Sequence, residues 1–80
     1  MKIEELRSAM HAAPFQPFVI HVADGRPVRV PHPDFIALHG TRTAIVTSPD
    51  PKAQPSYRLI DVPMITQLEI EGAPSNGSQA

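Results

Sequence analysis

The chain of 80 residues contains no cysteine and no tryptophan, and its aromatic side chains are one tyrosine and three phenylalanines. The lack of cysteine excludes disulfides and every thiolate metal site. A chain of this length buries only about 60 to 65% of the surface that it exposes when unfolded. Because its core is small and neither disulfides nor thiolate-bound metal can stabilise it, self-association is the remaining way to bury more surface.

The chain also has almost no net charge and no long apolar run. Seven lysines and arginines oppose eight aspartates and glutamates, so the net charge is −1, and the overall attraction to a polyanion typical of a general nucleic-acid binder is missing. No run approaches the ~18 apolar residues of a transmembrane helix. The first residues, MKIEELRSAM, mix acids and bases where a signal peptide would have an apolar segment. We therefore expect a cytoplasmic protein without a membrane partner.

The apolar residues in the first part of the chain have the spacing of a short helix. The apolar positions of residues 2–12 form one stripe at spacings of three and four, at Ile3, Leu6 and Met10. Pro14 ends the helix, because a proline disfavours helical geometry in the residue before it. So short a helix is unstable alone, and its stripe is expected to pack against the rest of the domain.

From residue 18 the pattern changes to the alternation of a β-strand, and Asp24-Gly25 indicates a hairpin turn. A two-residue loop would place Ile20 opposite Arg29, so that apolar and charged side chains would share one face of the hairpin. A three-residue loop, with the glycine in the left-handed conformation of a bulge, places Ile20 opposite Val28. The sequence predicts this second register, because it leaves one apolar face.

The rest of the chain reads as short strands and loops. Prolines at 31 and 33 bend the chain, residues 48–56 read as a loop, and residues 72–80 as a disordered C-terminal tail. Further extended segments are residues 35–38, 43–47, 57–62 and 67–70. The predicted fold class is mainly β with one N-terminal α-helix: residues 1–71 form a small, strongly bent antiparallel barrel of about five strands.

The strings FVIHVADGRPVRV and YRLIDVPMITQLEI, behind a short helix, resemble the Sm-like, or Hfq-like, small β-barrels in the order of their elements over residues 3–70. The same pattern suits SH3-like barrels, so both topologies stay open. The longer string PFQPFVIHVADGRPVRVPHPDF is also similar to a signature of short uncharacterised bacterial proteins. The resemblance to Sm-like barrels implies rings in which strand four of one subunit pairs with strand five of the next.

The resemblance does not extend to the family's RNA site. The bacterial Sm-like RNA binders have a tyrosine, a lysine and a histidine just before the last strand, where this chain has Asp61-Val62-Pro63. An acid, an aliphatic residue and a proline thus replace the aromatic and basic contacts. The usual uridine site is therefore not implied for this chain.

Neither a metal nor a catalytic centre is expected. The candidate metal ligands are four histidines: His11, His21, His32 and His39. Their spacings of ten, eleven and seven match no ligand motif, so we interpret them as surface side chains, of which His32 and His39 would be tested first. No serine or threonine lies in a recognisable pattern with a base and an acid, and no glycine-rich phosphate loop is present. We expect no cofactor and no enzyme activity.

Basic residues near the turns form the candidate contact surface for nucleic acid or a partner. They are Arg26, Arg29, His32, Arg42 and Arg58. In a ring they would form a basic rim for phosphates; the alternative is separate surface arginines that pair with Asp24, Asp50 or Asp61. Phe15, between two prolines, is predicted to hold the helix on the sheet, with an anchor for a protein partner as the alternative.

The function predicted from these patterns is that of a non-enzymatic small β-barrel. It would act by self-assembly into a homo-oligomer or by docking another protein through an exposed strand edge. The alternative is an Sm-like regulator that binds RNA or another nucleic acid. For that alternative, few aromatic side chains are left on which bases could stack, because Phe18 and Phe35 are assigned to the core.

Overall fold

The computed structural model describes residues 1–48 and 56–71. In chain order, the elements are helix α1 (Ile3–Met10), strands β1 (Phe18–Val22) and β2 (Val28–Val30), a 3-10 turn (Pro33–Phe35), strands β3 (Ile36–His39), β4 (Thr43–Thr47) and β5 (Tyr57–Asp61), a second 3-10 turn (Val62–Met64) and strand β6 (Ile65–Ile70). The fold is mainly β with one N-terminal helix, as predicted. The predicted tail at 72–80 and most of the predicted loop at 48–56 lie outside the described residues.

The strands form two three-stranded antiparallel sheets, in the orders β2-β1-β6 and β3-β4-β5. Within the described residues no strand pairing joins the sheets, so the predicted five-stranded barrel is not confirmed. The difference has local causes. Pro31 and Pro33 lack amide hydrogens, and at the predicted bend the chain forms the turn Pro33–Phe35 between β2 and β3. Pro63 lies in the second 3-10 turn, which separates β5 from β6.

The β1–β2 hairpin has the predicted register. Phe18 lies opposite Val30 and Ile20 opposite Val28, and all four side chains are buried. On its other side β1 pairs with β6, with a register shift after His21. The hairpin thus supplies the apolar face that its alternating pattern predicted.

The predicted left-handed conformation of Gly25 is wrong. Of the two glycines in the described residues, Gly40 alone has a left-handed φ, of 65°. Space at Gly25 is limited instead, because a Cβ atom there would lie 2.8 Å from Cγ2 of Val22 and the valine side chain would have to shift. The lack of a side chain at Gly25 therefore leaves room for Val22, and a left-handed backbone is not needed there.

Gly40 joins β3 to β4 and is a suitable site for a stability test. We expect Gly40→Ala to lower the free energy of unfolding by about 1 kcal/mol, because alanine is strained at a left-handed φ. Gly40→Asn should cost less, because asparagine adopts this conformation more readily. Urea unfolding of the three proteins measures the order; equal stability of the two variants would contradict it.

The core lies between helix and sheets. The stripe Ile3, Leu6 and Met10 of α1 is buried in it, as predicted. The sheets contribute Phe18, Ile20, Val28, Val30, Ile36, Ala44, Val46, Ile60 and Ile65, and the second 3-10 turn adds Val62. No polar or charged residue is buried in the described part of the chain. Among those same residues, no helix is long and apolar enough to cross a bilayer.

Candidate functional site

A cleft lies between the β1–β2 hairpin and β5, and Arg58 borders both of its halves. One half is a cavity of about 330 Å³ lined by residues that include Pro27, Val28 and Arg58. The other is a cavity of about 530 Å³ whose lining includes Val28, Ile60 and Arg26. We call the two cavities together the β5 cleft. Its lining combines apolar side chains with arginines and with two aspartates, Asp24 and Asp61.

The alternation of β5 explains the position of Arg58. Arg58 pairs with Val46 and Ile60 with Ala44, and both partners on β4 are buried. Arg58 and Ile60 therefore occupy the face of β5 that is turned toward the core. Since β5 is the edge of its sheet, the long side chain of Arg58 reaches solvent at the rim, and the residue is exposed.

Two of the predicted arginines have carboxylate partners. Arg29 makes two hydrogen bonds to Glu71, from Nε at 2.7 Å and from Nη2 at 2.9 Å. Arg42 lies 3.5 Å from Asp61, one of the pairings expected for separate surface arginines. The Glu71 partner of Arg29 was missed, and no sequence signal connects residues 42 positions apart. The charges of these two arginines are therefore compensated.

Arg26 and Arg58 have no ion pair with any residue that the structure describes. Both line the larger cavity of the β5 cleft, while Arg29 lines the smaller one. His32 and Arg42 do not line either cavity. The structure thus brings three of the five predicted contact residues to one cleft, where Asp24 and Asp61 line the larger cavity together with Arg26 and Arg58 without a direct ion pair to either arginine among the described residues.

The Arg29–Glu71 pair predicts a pH dependence. The hydrogen bond from Arg29 lowers the pKa of the Glu71 carboxyl, and the same bond raises the pKa of Arg29. A depressed carboxyl pKa stabilises the fold above the pKa of the unfolded chain and ceases to do so as pH falls through the folded value. Arg29→Ala should therefore be slightly less stable than the unmodified protein near neutral pH.

The difference should begin to shrink as pH falls past the usual glutamate pKa of about 4.3 and should vanish only below the depressed pKa of Glu71. Because the pair is exposed to solvent and screened, the effect will be small and will shrink in high salt. Urea unfolding at two pH values measures it. A stability difference that persists in acid would show that Arg29 acts through packing and not through the ion pair.

His32 organises the bend between the sheets. Its Nδ1 accepts a hydrogen bond from the backbone N–H of Asp34 at 3.1 Å, which caps the 3-10 turn. Its ring centroid lies 6.4 Å from that of Phe15 and 6.3 Å from that of Phe35. These contacts give His32 a local structural role.

Phe15 is half-buried and packs against the core. Its ring centroid lies 5.8 Å from that of Phe18. Phe15 thus packs on strand β1, and its predicted role in holding α1 on the sheet stays a prediction. A role for Phe15 as an anchor for a partner stays a prediction.

The histidines are dispersed. His11 follows the last residue of α1, His39 ends β3, and His21 on β1 lies 3.0 Å from a carboxylate oxygen of Glu69 on β6. In the described part of the chain, no three histidine or acidic residues come together as a set of metal ligands.

The outer face of β5 carries apolar side chains that the sequence reasoning did not single out. Tyr57 is 67% exposed and Leu59 is 65% exposed, and Leu59 pairs with the half-buried Ile45 of β4. We call Tyr57, Leu59 and Ile45 the β5 strip. A free edge at this segment was expected from the predicted ring contact of strand four, but the alternation along YRLID, which places Tyr57 and Leu59 on one face, was not used to predict an exposed apolar strip.

Comparison with known proteins adds no relative. The chain matches no family model, no curated protein and no solved structure. The resemblance to Sm-like barrels therefore stays a prediction, and function has to be argued from the geometry of the β5 strip and the β5 cleft.

Proposed function

We propose that the protein is a cytoplasmic, non-enzymatic small β-protein that acts by self-assembly or by docking another protein through strand β5. The observation that supports this proposal is the β5 strip on an edge strand. An edge strand presents unpaired backbone groups, and natural proteins usually protect such edges with charges, prolines or covering elements. β5 carries charges at Arg58 and Asp61, but its outward side chains Tyr57 and Leu59 are large, apolar in most of their surface and exposed.

The small core supports the same proposal. Burying the exposed part of the β5 strip would add apolar area to a domain that buries little. An added strand would also satisfy the free backbone groups of β5, as in proteins that bind an extended segment at a sheet edge.

The Sm-like or SH3-like arrangement remains part of the proposal. The last strand, β6, pairs with the first strand, β1, and the sheets meet at two sharp bends, Pro33–Phe35 and Val62–Met64. Bends between orthogonally packed strands are the corners that a small barrel requires. For an Sm-like chain, the resemblance implies β5–β6 pairing between neighbouring subunits.

The molar mass in solution tests the proposal. Light scattering at micromolar concentration should give a mass above that of one 8.7 kDa chain, or a pull-down should recover a protein partner that Leu59→Lys no longer binds. A monomeric protein that recovers no such partner would refute the proposal.

A second candidate function is nucleic-acid binding in the β5 cleft. It is favoured by Arg26 and Arg58, which line one cavity without a described carboxylate partner. A guanidinium binds phosphate oxygens in a bidentate manner, so the two arginines could contact neighbouring phosphates of a single strand. Tyr57 is the exposed aromatic on β5 that could stack on a base.

Short single-stranded RNA tests this second function. Binding should weaken in the double variant Arg26→Ala and Arg58→Ala, and the slope of log K against log salt should fall by about 0.7 for each phosphate that is no longer neutralised. Arg7→Ala is the matched control, since Arg7 is exposed on α1 and lines neither cavity of the cleft. Absence of binding at low salt would dismiss this function.

A further inference from the structure

We infer that β5 pairs antiparallel with β5 of a second copy of the chain, with the two Leu59 side chains facing each other at the two-fold axis. This inference rests on the proposed function and specifies its partner. It joins the two β3-β4-β5 sheets of the copies into one continuous sheet. The support lies in the self-complementary order of the five residues of β5, Tyr57-Arg58-Leu59-Ile60-Asp61.

The register follows from symmetry. In an isologous two-fold contact, each residue pair occurs twice. With Leu59 opposite Leu59 of the second copy, Tyr57 lies opposite Asp61 and Arg58 lies opposite Ile60. Side chains alternate along a strand, so Tyr57, Leu59 and Asp61 share the outer face in both copies, and Arg58 and Ile60 share the face turned toward the core.

The outer-face pairs are chemically matched. The two Leu59 side chains, each 65% exposed in the single chain, cover one another between the two Ile45 side chains. The Tyr57 hydroxyl can donate a hydrogen bond to the Asp61 carboxylate opposite it, and a bond to a charged acceptor is stronger than one between neutral groups. No two like charges lie directly opposite each other in this register.

Pairing of β5 with β6 of a neighbour, as in a ring, is less complementary. Leu68 and Ile70 of β6 lie opposite the buried Ile20 and Phe18 of β1, so they are on the core-facing side of β6. Gln67 and Glu69 are therefore on its outer side. If the core-facing sides of β5 and β6 lay on the same face of the joined sheet, Leu59 and Tyr57 of β5 would lie beside the outer side of β6, which is polar.

One backbone acceptor of β6 is already engaged. The ammonium group of Met1 donates a hydrogen bond to the carbonyl of Ile65 at 3.2 Å. Among the residues that the structure describes, α1 and its flanks make no comparable hydrogen bond to β5. The complementary partner for the β5 strip is therefore another β5 strip.

Arg58 limits the affinity of this dimer. The two Arg58 side chains are diagonal neighbours on the core-facing side, where like charges repel. Each borders the β5 cleft of its own copy, which Tyr57, Leu59 and Asp61 of the same strand also line. Arg58→Ala should therefore tighten the dimer, whereas it should weaken nucleic-acid binding. The two functions predict opposite effects of the same substitution.

Single cysteines can report the register, because the natural chain has none. Directly opposed residues of antiparallel strands have Cα atoms about 4.5 to 5.5 Å apart, within the distance of about 7 Å that a disulfide can bridge. Leu59→Cys should form a covalent dimer on mild oxidation. Tyr57→Cys alone should not, because four residues along a strand separate its two copies by about 13 Å. A mixture of Tyr57→Cys and Asp61→Cys should crosslink.

Charge variants complete the test. Leu59→Lys places two ammonium groups opposite each other, and we expect the dimer to be lost at concentrations where the unmodified protein is fully dimeric. Ile70→Lys, on the exposed part of β6, is the matched control and should leave the dimer intact. Circular dichroism checks that both variants fold, which is expected because Leu59 is 65% and Ile70 47% exposed in the single chain.

The outcomes separate this inference from the proposed function. Crosslinking of Leu59→Cys together with loss of the dimer in Leu59→Lys supports the inference. An oligomer that Ile70→Lys disrupts and Leu59→Lys does not, or in which Tyr57→Cys alone crosslinks, overturns the inference and leaves self-assembly standing. An unmodified chain that is monomeric and recovers no partner overturns both.

Discussion

Replacing Phe18 with alanine is expected to unfold much of the protein at room temperature. Phe18 is completely buried in β1, the middle strand of the sheet β2-β1-β6. Truncation of a buried phenylalanine costs about 3 to 5 kcal/mol, and a domain this small rarely has more than about 3 to 5 kcal/mol of stability from its core. Urea unfolding followed by circular dichroism should show a lost or strongly shifted transition.

Phe15→Ala is the matched control. Phe15 is half-buried at the edge of the same core, so its removal should cost about 1 kcal/mol, well below the cost at Phe18. The variant should still unfold in a cooperative transition. Equal losses at the two positions would mean that Phe15 is as central to the core as Phe18.

Short-range patterns predicted the helix and the hairpin correctly. The stripe of α1 is set by spacings within three helical turns, and any apolar surface of the domain would bury it. The hairpin register follows from one requirement, that Ile20 share a face with Val28 across a short turn. Both arguments use only neighbours in the sequence and the burial of apolar side chains.

The division into two sheets could not be predicted in the same way. Prolines at 31 and 33 indicated a bend, but a bend can continue a sheet around a corner or end it, and the choice depends on packing between distant segments. The partner of Arg29 is equally non-local, because Glu71 reaches it only through the β1–β6 pairing. Exposure of Leu59 depends on β5 being an edge, which alternation along one strand does not determine.

Loss of the Leu6 side chain is expected to have the second large effect. Leu6 is fully buried at the middle of the α1 stripe. The helix has eight residues, fewer than the roughly 12 to 15 that an isolated helix needs for marginal stability. Leu6→Ala should therefore cost about 2 to 5 kcal/mol and weaken the helical signal together with the fold, because α1 forms only when its apolar stripe is packed.

Ser8→Ala, on the exposed side of the same helix, separates packing from helix propensity. Alanine favours the helix over serine by at most about 0.5 kcal/mol, so this variant should be as stable as the unmodified protein or slightly more stable. Thermal and urea midpoints of both variants give the comparison. If Leu6→Ala unfolded at the same midpoint as Ser8→Ala, α1 would contribute little to the core, and the sheets alone would have to hold the domain together.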